Sequence, residues 1–384
     1  MKVISTEKLP VKMWLEDIED GAMVQIRNLA NLPFAYHHIA IMPDSHQGYG
    51  MPIGGVMATM GVVVPNAVGV DIGCGMCAVK TSLTELDTET LKKIMGKIRE
   101  VVPVGFEHHK ENQDERLMPV NPQGMPIVER EYQKALSQLG TLGGGNHFIE
   151  IQKGSDGFIW IMIHSGSRNF GLKIAEHYNK IAVEINAKYL SIIGKKQELA
   201  FLPLETEEAK SYLREMNYAV EFALANRKLM MRNICDIFEQ ETKCECIEPI
   251  NIAHNYAKFE HHFGKDVLVH RKGATLAAKD TVGIIPGSQG TKSYIVKGLG
   301  NPESFESCSH GAGRKMGRGQ AIRELKLEDE IKILNDQGIV HGIRNAKDLD
   351  EASGAYKDIS TVMENQKDLV EILVELTPLG VIKG

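Results

Sequence analysis

The chain has 384 residues, a formal charge of −6 and 43% hydrophobic residues, a makeup that excludes a disordered, collagen-like or coiled-coil protein and can bury a large core. No apolar run approaches the roughly 20 residues needed to cross a bilayer, and the acidic balance argues against a nucleic-acid coat, which needs a strongly basic face. The start Met1-Lys2-Val3-Ile4-Ser5-Thr6-Glu7 lacks an apolar signal core, so the six cysteines (74, 77, 235, 244, 246 and 308) are expected as thiols in a cytoplasmic protein without a membrane partner.

Residues 34–80 read as short strands and Gly-rich turns, with Met51-Pro52-Ile53-Gly54-Gly55 and the run Val62-Val63-Val64 leading to a turn at Asp71. Helical spacing follows in Thr88 to Val101, where Leu91, Ile94, Met95 and Ile98 share one face. Glu107 to Met125 is polar and broken by Pro119 and Asn121-Pro122-Gln123-Gly124, which predicts a surface loop. Phe158 to Ile163 predicts a buried strand ending at His164, at a terminus from which a side chain reaches a cleft. Glu205 to Gln240 is the longest helical pattern and leaves open more than one helix. Further strands are predicted at Val267 to His270, Val282 to Ile285 and Ser293 to Val296. Strands and helices interleave irregularly, without a fixed repeat, which predicts a mixed α+β fold rather than a solenoid or propeller.

Asp71-Ile72-Gly73-Cys74-Gly75 sets a carboxylate and a thiol three residues apart in a glycine-rich turn and reads as half of a metal site. Four distant histidines supply candidates for the other half: His147, His164, His254 and His310, each flanked by small or amide residues that let backbone approach a ligand. Most of the other histidines are expected to be ordinary surface or core residues. Thiolate, imidazole and carboxylate together suit Zn, Mn, Fe or Co, whereas Mg or Ca sites use oxygen ligands. A thiolate shared by two cations would hold them within about 4 Å, an arrangement suited to phosphoryl transfer. Cys74-Gly75-Met76-Cys77 also allows half of a structural zinc knuckle, but Cys244-Glu245-Cys246 has the wrong spacing for its partner pair.

No Walker A loop is present. Ser309-His310-Gly311-Ala312-Gly313-Arg314, followed by Arg318, predicts a Gly-rich turn entering a helix on which the two arginines share a face and hold a phosphate. A solvated basic helix start is the plainer alternative. Pro286-Gly287-Ser288-Gln289-Gly290 and His270-Arg271-Lys272-Gly273 are further turns of this kind.

These segments, in order, resemble the RtcB family of RNA ligases from residue 34 to Gly384. The motifs carrying the resemblance are Met42 to Gly48, Gly69 to Gly75, Gly143 to Glu150, His164 to Arg168, Asn251 to Asn255, His270 to Ala274, His310 to Arg314 and Pro378 to Gly384. The resemblance implies one catalytic domain over residues 1–384, built of mixed, mainly antiparallel sheets with surrounding helices and a central metal-lined cleft. It implies a GTP- and Mn²⁺-dependent ligase, acting in RNA repair or tRNA splicing, that joins 3′-phosphate or 2′,3′-cyclic phosphate RNA ends to 5′-hydroxyl ends. Asp71, Cys74, His147, His164 and His254 would hold two Mn²⁺ ions, with Cys74 shared. His310, oriented by Asp44, would be the nucleophile that becomes guanylylated.

Guanine offers N–H donors at N1 and N2 and an acceptor at O6, an edge that a carboxylate and an ammonium can read. By motif position these would be Glu150 and Lys383, with Tyr356 and Ser288 as further base contacts and Asn146 and Asn255 near the phosphates. Arg168, Arg314 and Arg318 would hold RNA phosphates, and no ligand role falls to Cys77 or Cys308. Two rival readings remain at this point: a dinuclear phosphohydrolase or cyclic phosphodiesterase that never forms a nucleotide adduct, and an RNA-end binding protein without turnover.

Overall fold

The computed structural model describes residues 1–188, 195–247 and 249–384. Two sheets carry the architecture, and the fold is α+β as expected. Six strands pair in the order Lys2–Ile4, Val11–Met13, Ala35–His46, Ile53–Thr59, Lys265–Lys272 and Asn255–His262. Seven pair in the order Ile250–Ala253, Gly75–Lys80, Ile159–Ser165, Phe148–Gly154, Val370–Lys383, Ser293–Gly298 and Val282–Ile285. Within both sheets every pairing is antiparallel except that of Val11–Met13 with Ala35–His46. The sheets meet where Ile250–Ala253, in one, passes to Asn255–His262, in the other; His254 is the residue between them.

Alternation decides which side chains face the site. Cys77, Val79, Ile149, Ile151, Ile161 and Ile163 enter one hydrophobic cluster, whereas Met76, Ala78, Trp160 and Met162 enter another on the opposite face of the seven-stranded sheet. His164 lies opposite both Met76 and Phe148, and Glu150 opposite Met162, so both polar side chains share the second face. The strand Ile159–Ser165 runs one residue past the predicted end at His164, because Gly75 still pairs with Ser165.

The helix Thr88–Val101 buries Leu91, Ile94, Met95 and Ile98, the four residues of the predicted stripe, and Asp87 caps it by accepting the Glu89 and Thr90 amides. Ile94 is fully buried against that first cluster. Ile94→Ala is expected to cost about 2–5 kcal/mol, read as a lower melting temperature. Glu207–Thr242 is one helix of 36 residues, not several: it contains no glycine or proline to break it, Thr206 caps its start, and Lys243 stops it in a left-handed conformation at φ 60°. It packs behind Gly75–Lys80, Ile159–Ser165 and Ile250–Ala253.

The predicted strands are present within Lys265–Lys272, Val282–Ile285 and Ser293–Gly298. The segment 107–125 holds a single short turn, Glu115–Leu117, but it is not purely a surface loop. Met118 is buried in the core, and the Pro119 carbonyl accepts the Tyr218 hydroxyl at 3.1 Å.

Candidate functional site

The turn at Asp71 is shaped by Gly73, whose φ is +75° and where a side chain would strike the Val220 backbone of the long helix. Only glycine lets the turn sit that close. Cys74 then precedes the strand Gly75–Lys80, and its sulfur lies 3.5 Å from Nε2 of His147 and 3.3 Å from Nε2 of His164. Nε2 of His147 is also 3.3 Å from Oδ2 of Asp71. Two donor groups result, Cys74–His164–His254 and Asp71–Cys74–His147, the ligand atoms of each lying within 4.8 Å of one another. Cys74 belongs to both.

The imidazoles could serve as ligands because of what their other nitrogens do. Nδ1–H of His147 donates to the Leu142 carbonyl at 3.0 Å and that of His164 to the Asn146 carbonyl at 3.1 Å, which turns each Nε2 toward Cys74. Nδ1 of His254 is buried without a hydrogen-bond partner among the described residues, a placement that a cation would relieve. Burial pushes His164 and His254 well below the usual histidine range, so both rings are neutral. Burial, with the Asp71 charge beside it, pushes the Cys74 thiol up. Burial also favours the neutral form of Asp71, but the His147 contact outweighs it and holds the carboxyl down to about 2. The mixed S, N and O donors fit a borderline transition cation better than Mg or Ca, and binding would have to displace the thiol proton.

His310 adjoins this centre without joining either donor group. Its ring centroid is 4.7 Å from that of His254. Asp44, fully buried, accepts both the His310 amide at 3.1 Å and Nδ1–H at 2.6 Å through Oδ2, which leaves Nε2 as the free ring nitrogen. A cleft opens from here, with Asn146, Glu150, His164, Ser288, Tyr356 and Lys383 among its lining residues. Glu150 is 2% exposed and accepts the Gln152 amide. Burial pushes its carboxyl up to about 8, against the Gln152 hydrogen bond and the Lys383 charge. Burial likewise lowers Lys383.

Asn255 and Arg168 stand apart from the cleft. The Asn255 amide donates to the Asp71 carbonyl at 3.0 Å and accepts the Gly273 amide at 2.6 Å, so it braces the Asp71 turn. Arg168 donates to the Thr141 hydroxyl at 3.2 Å and the Gly105 carbonyl at 3.3 Å. Arg314 and Arg318 do line the cleft, but they share no helix face. Gly313 has φ +74°, Arg314 sits in an isolated bridge with Tyr356, and the helix begins only at Arg318. What joins them is Glu351, buried, which accepts Arg314 Nη1 at 2.9 Å, Arg318 Nε at 2.8 Å and the Tyr356 hydroxyl.

Sequence reasoning missed Glu351, and it missed His46, whose ring lines the cleft while Nδ1 meets the Asp44 carbonyl at 3.1 Å. It also missed Asn226 and Arg227, buried polar residues on the sheet-facing side of the long helix. Their signal was present: polar residues at helical spacing from Ala219, Phe222, Ala223 and Met230 interrupt an apolar face. All six cysteines are free thiols. Cys77 points into the opposite face of the sheet and Cys308 into a hydrophobic cluster, and neither is in a donor group among the described residues.

A family model described as tRNA-splicing ligase RtcB matches residues 25–125 and 119–384. The chain is 40% identical to the RNA-splicing ligase RtcB of Escherichia coli over 409 aligned positions, covering 100% of this chain and 99% of that protein. It is 32% identical to the tRNA-splicing ligase RtcB of Thermococcus kodakarensis, covering 95% and 92% of the two chains. It is also 32% identical to the RNA-splicing ligase RtcB of Mycobacterium bovis, covering 94% and 100%. Matches that span nearly the whole of each partner, on a chain that folds its Asp–Cys turn and three histidines into one centre, leave no room for a shared fragment alone: the chain belongs to the RtcB family of tRNA-splicing ligases.

Proposed function

We propose that this RNA ligase uses GTP and two Mn²⁺ ions to join RNA ends bearing a 3′-phosphate or 2′,3′-cyclic phosphate to ends bearing a 5′-hydroxyl. The observation that carries the reading is the position of His310: its Nδ1 is taken by Asp44, its ring lies against His254, and it faces a cleft containing Glu150 and Lys383. A hydrolase would need the donor groups but no such imidazole facing a base-reading pair.

In this mechanism Nε2 of His310 attacks the α-phosphorus of GTP, forming an N–P bond as pyrophosphate leaves. Asp44 fixes the ring and favours the charge it gains. The guanylyl group then passes to an oxygen of the RNA 3′-phosphate, which frees His310. The 5′-hydroxyl attacks that phosphorus, loses its proton and expels GMP, leaving a phosphodiester. A cyclic end is first opened by water to a 3′-phosphate. Asp71, Cys74, His147, His164 and His254 would hold the ions, which supply positive charge against the phosphoryl oxygens. Asn146 would lie near the phosphates, with Asn255 bracing the turn behind it, while Ser288 and Tyr356 flank the base. Arg168, Arg314 and Arg318 would meet RNA phosphates, which requires Glu351 to share the last two.

The decisive experiment incubates the protein with Mn²⁺ and GTP labelled at the α-phosphate, then supplies RNA with 3′-phosphate and 5′-hydroxyl ends. An acid-labile label on the protein, followed by joined RNA, is expected. Absence of label under any metal rejects the nucleotide intermediate and favours metal-dependent phosphate hydrolysis.

Glu150 gives this reading a pH signature. With its carboxyl pushed up to about 8, Glu150 is mainly protonated at neutral pH, whereas two guanine N–H donors require the carboxylate. GTP binding near pH 7 should therefore release a proton, and affinity should rise with pH until about 8 and then level off. Calorimetry in buffers of different ionisation enthalpy reads the proton directly. Glu150→Ala should abolish the release and cut the preference for GTP over ATP by on the order of 10- to 100-fold. An unchanged nucleotide preference removes Glu150 from the base pocket.

A further inference from the structure

Three neighbouring strands of the seven-stranded sheet carry the backbone to the proposed ligands at one edge. Cys74 precedes Gly75–Lys80, His164 lies at the end of Ile159–Ser165, and His254 follows Ile250–Ala253. Carbonyls at such an edge need partners that the ladder no longer supplies. Arg227 supplies them. From the long helix its Nη1 donates to the Gly73 carbonyl at 2.9 Å and the Ser165 carbonyl at 2.7 Å, its Nη2 to the Ile252 carbonyl at 3.2 Å, and its Nε to Oδ1 of Asn251 at 2.8 Å. Each accepting carbonyl is one or two residues from a ligand.

The preceding residue covers the remaining histidine. The Asn226 side chain accepts the Gly140 and Thr141 amides at 2.7 and 3.1 Å and donates to the Thr141 carbonyl, the Ser165 hydroxyl and the Gly166 carbonyl. The Ser165 hydroxyl in turn donates at 2.7 Å to the Leu142 carbonyl, the same oxygen that receives Nδ1–H of His147. Both residues are wholly buried, and no carboxylate is paired with the Arg227 guanidinium among the described residues. An unpaired buried guanidinium is unfavourable unless its donors are all used, and here a single planar fork spans three strands.

We infer that Asn226 and Arg227 are positioning residues that hold the ligand-bearing loops in metal-binding geometry before any cation arrives. The inference rests on the proposed ligand set. A lysine cannot reproduce the arrangement, because its three donors radiate from one point instead of lying in a plane. The long helix thus has a second task besides filling the core: it sets the separation of Cys74, His164 and His254.

The test is Mn²⁺ titration of metal-free full-length protein by calorimetry, beside thermal melts in chelator. Arg227→Lys should weaken Mn²⁺ binding by about 10- to 100-fold, the usual loss when a partner behind the ligands is removed, and should also lower the metal-free melt, because buried carbonyls lose their donors. Asn251→Ala, which deletes the Nε acceptor and a donor to the Leu224 carbonyl but leaves the three backbone contacts of Arg227, should weaken binding less. Ile94→Ala serves as the control for general destabilisation. Unchanged affinity in Arg227→Lys overturns the inference, and so does a loss equalled by Ile94→Ala at a comparable melting temperature. If the parent protein binds no Mn²⁺, the ligand set fails and the inference falls with it; a parent that binds and a lysine variant that binds equally well sink the positioning role alone.

Discussion

His310→Ala is expected to slow transfer of the guanylyl group from GTP to the protein by on the order of 10⁴-fold or more, so that no label accumulates, while Mn²⁺ binding changes little. The separation of effects follows from geometry. His310 lies beside His254 but belongs to neither donor group, and its ring is held by Asp44 through Nδ1. Removing the imidazole empties space that already opens to the cleft, so the core is not breached. It also leaves Asp44, one of whose oxygens has no partner among the described residues, held there by the residue 310 amide alone, which adds a modest stability loss. Labelling of the variant at the parent rate would move the nucleophile elsewhere. A collapse of Mn²⁺ affinity matching the loss of label would make His310 a ligand instead.

The contrast between His310 and its neighbours shows which parts of the site a sequence can carry. Asp71, Cys74, His147, His164 and His254 stand out because each is a chemically costly residue close to glycine, serine or asparagine, and such local oddity survives reading in one dimension. The helix Thr88–Val101 and the strands Ile159–Ser165, Val282–Ile285 and Ser293–Gly298 are legible for a different reason, since apolar patterning is a local record of a buried face. The reading fails where backbone departs from regularity without announcing it. Arg314 and Arg318 are four apart, yet Gly313 in the left-handed region delays the helix until Arg318, so the spacing carries no helical meaning.

Glu351 illustrates a second limit. It sits in the acidic stretch Asp348-Leu349-Asp350-Glu351, where one more carboxylate has no local signal, and becomes significant only because folding brings it between two arginines and Tyr356. Its pairing also bears on how a chain of charge −6 meets RNA. The positive charge in the cleft is concentrated at Arg314, Arg318 and Lys383 and is already partly balanced by Glu351, so affinity for an RNA end has to come from local geometry rather than from a broad basic face. The single 36-residue helix is a third case: absence of breakers permits continuity but does not demand it, and packing behind three strands settles the matter.

Under the proposed mechanism, Cys74→Ala is expected to weaken Mn²⁺ binding at both proposed sites, by on the order of 100-fold or more each, and to abolish guanylylation as a consequence. The two-ion effect is what distinguishes a shared thiolate from an ordinary ligand. Cys74 is the one residue common to both donor groups, and its sulfur lies within 3.5 Å of Nε2 of both His147 and His164. His254→Ala, by comparison, removes a nitrogen from one group only, and Asp71→Ala an oxygen from the other. A calorimetric titration of the three variants should therefore show two weakened sites for Cys74→Ala and one for each of the others. The cysteine change should also be well tolerated in the absence of metal, since burial already keeps the thiol neutral and no core packing depends on its charge. If Cys74→Ala loses one ion and keeps the other at parent affinity, the sulfur serves a single cation.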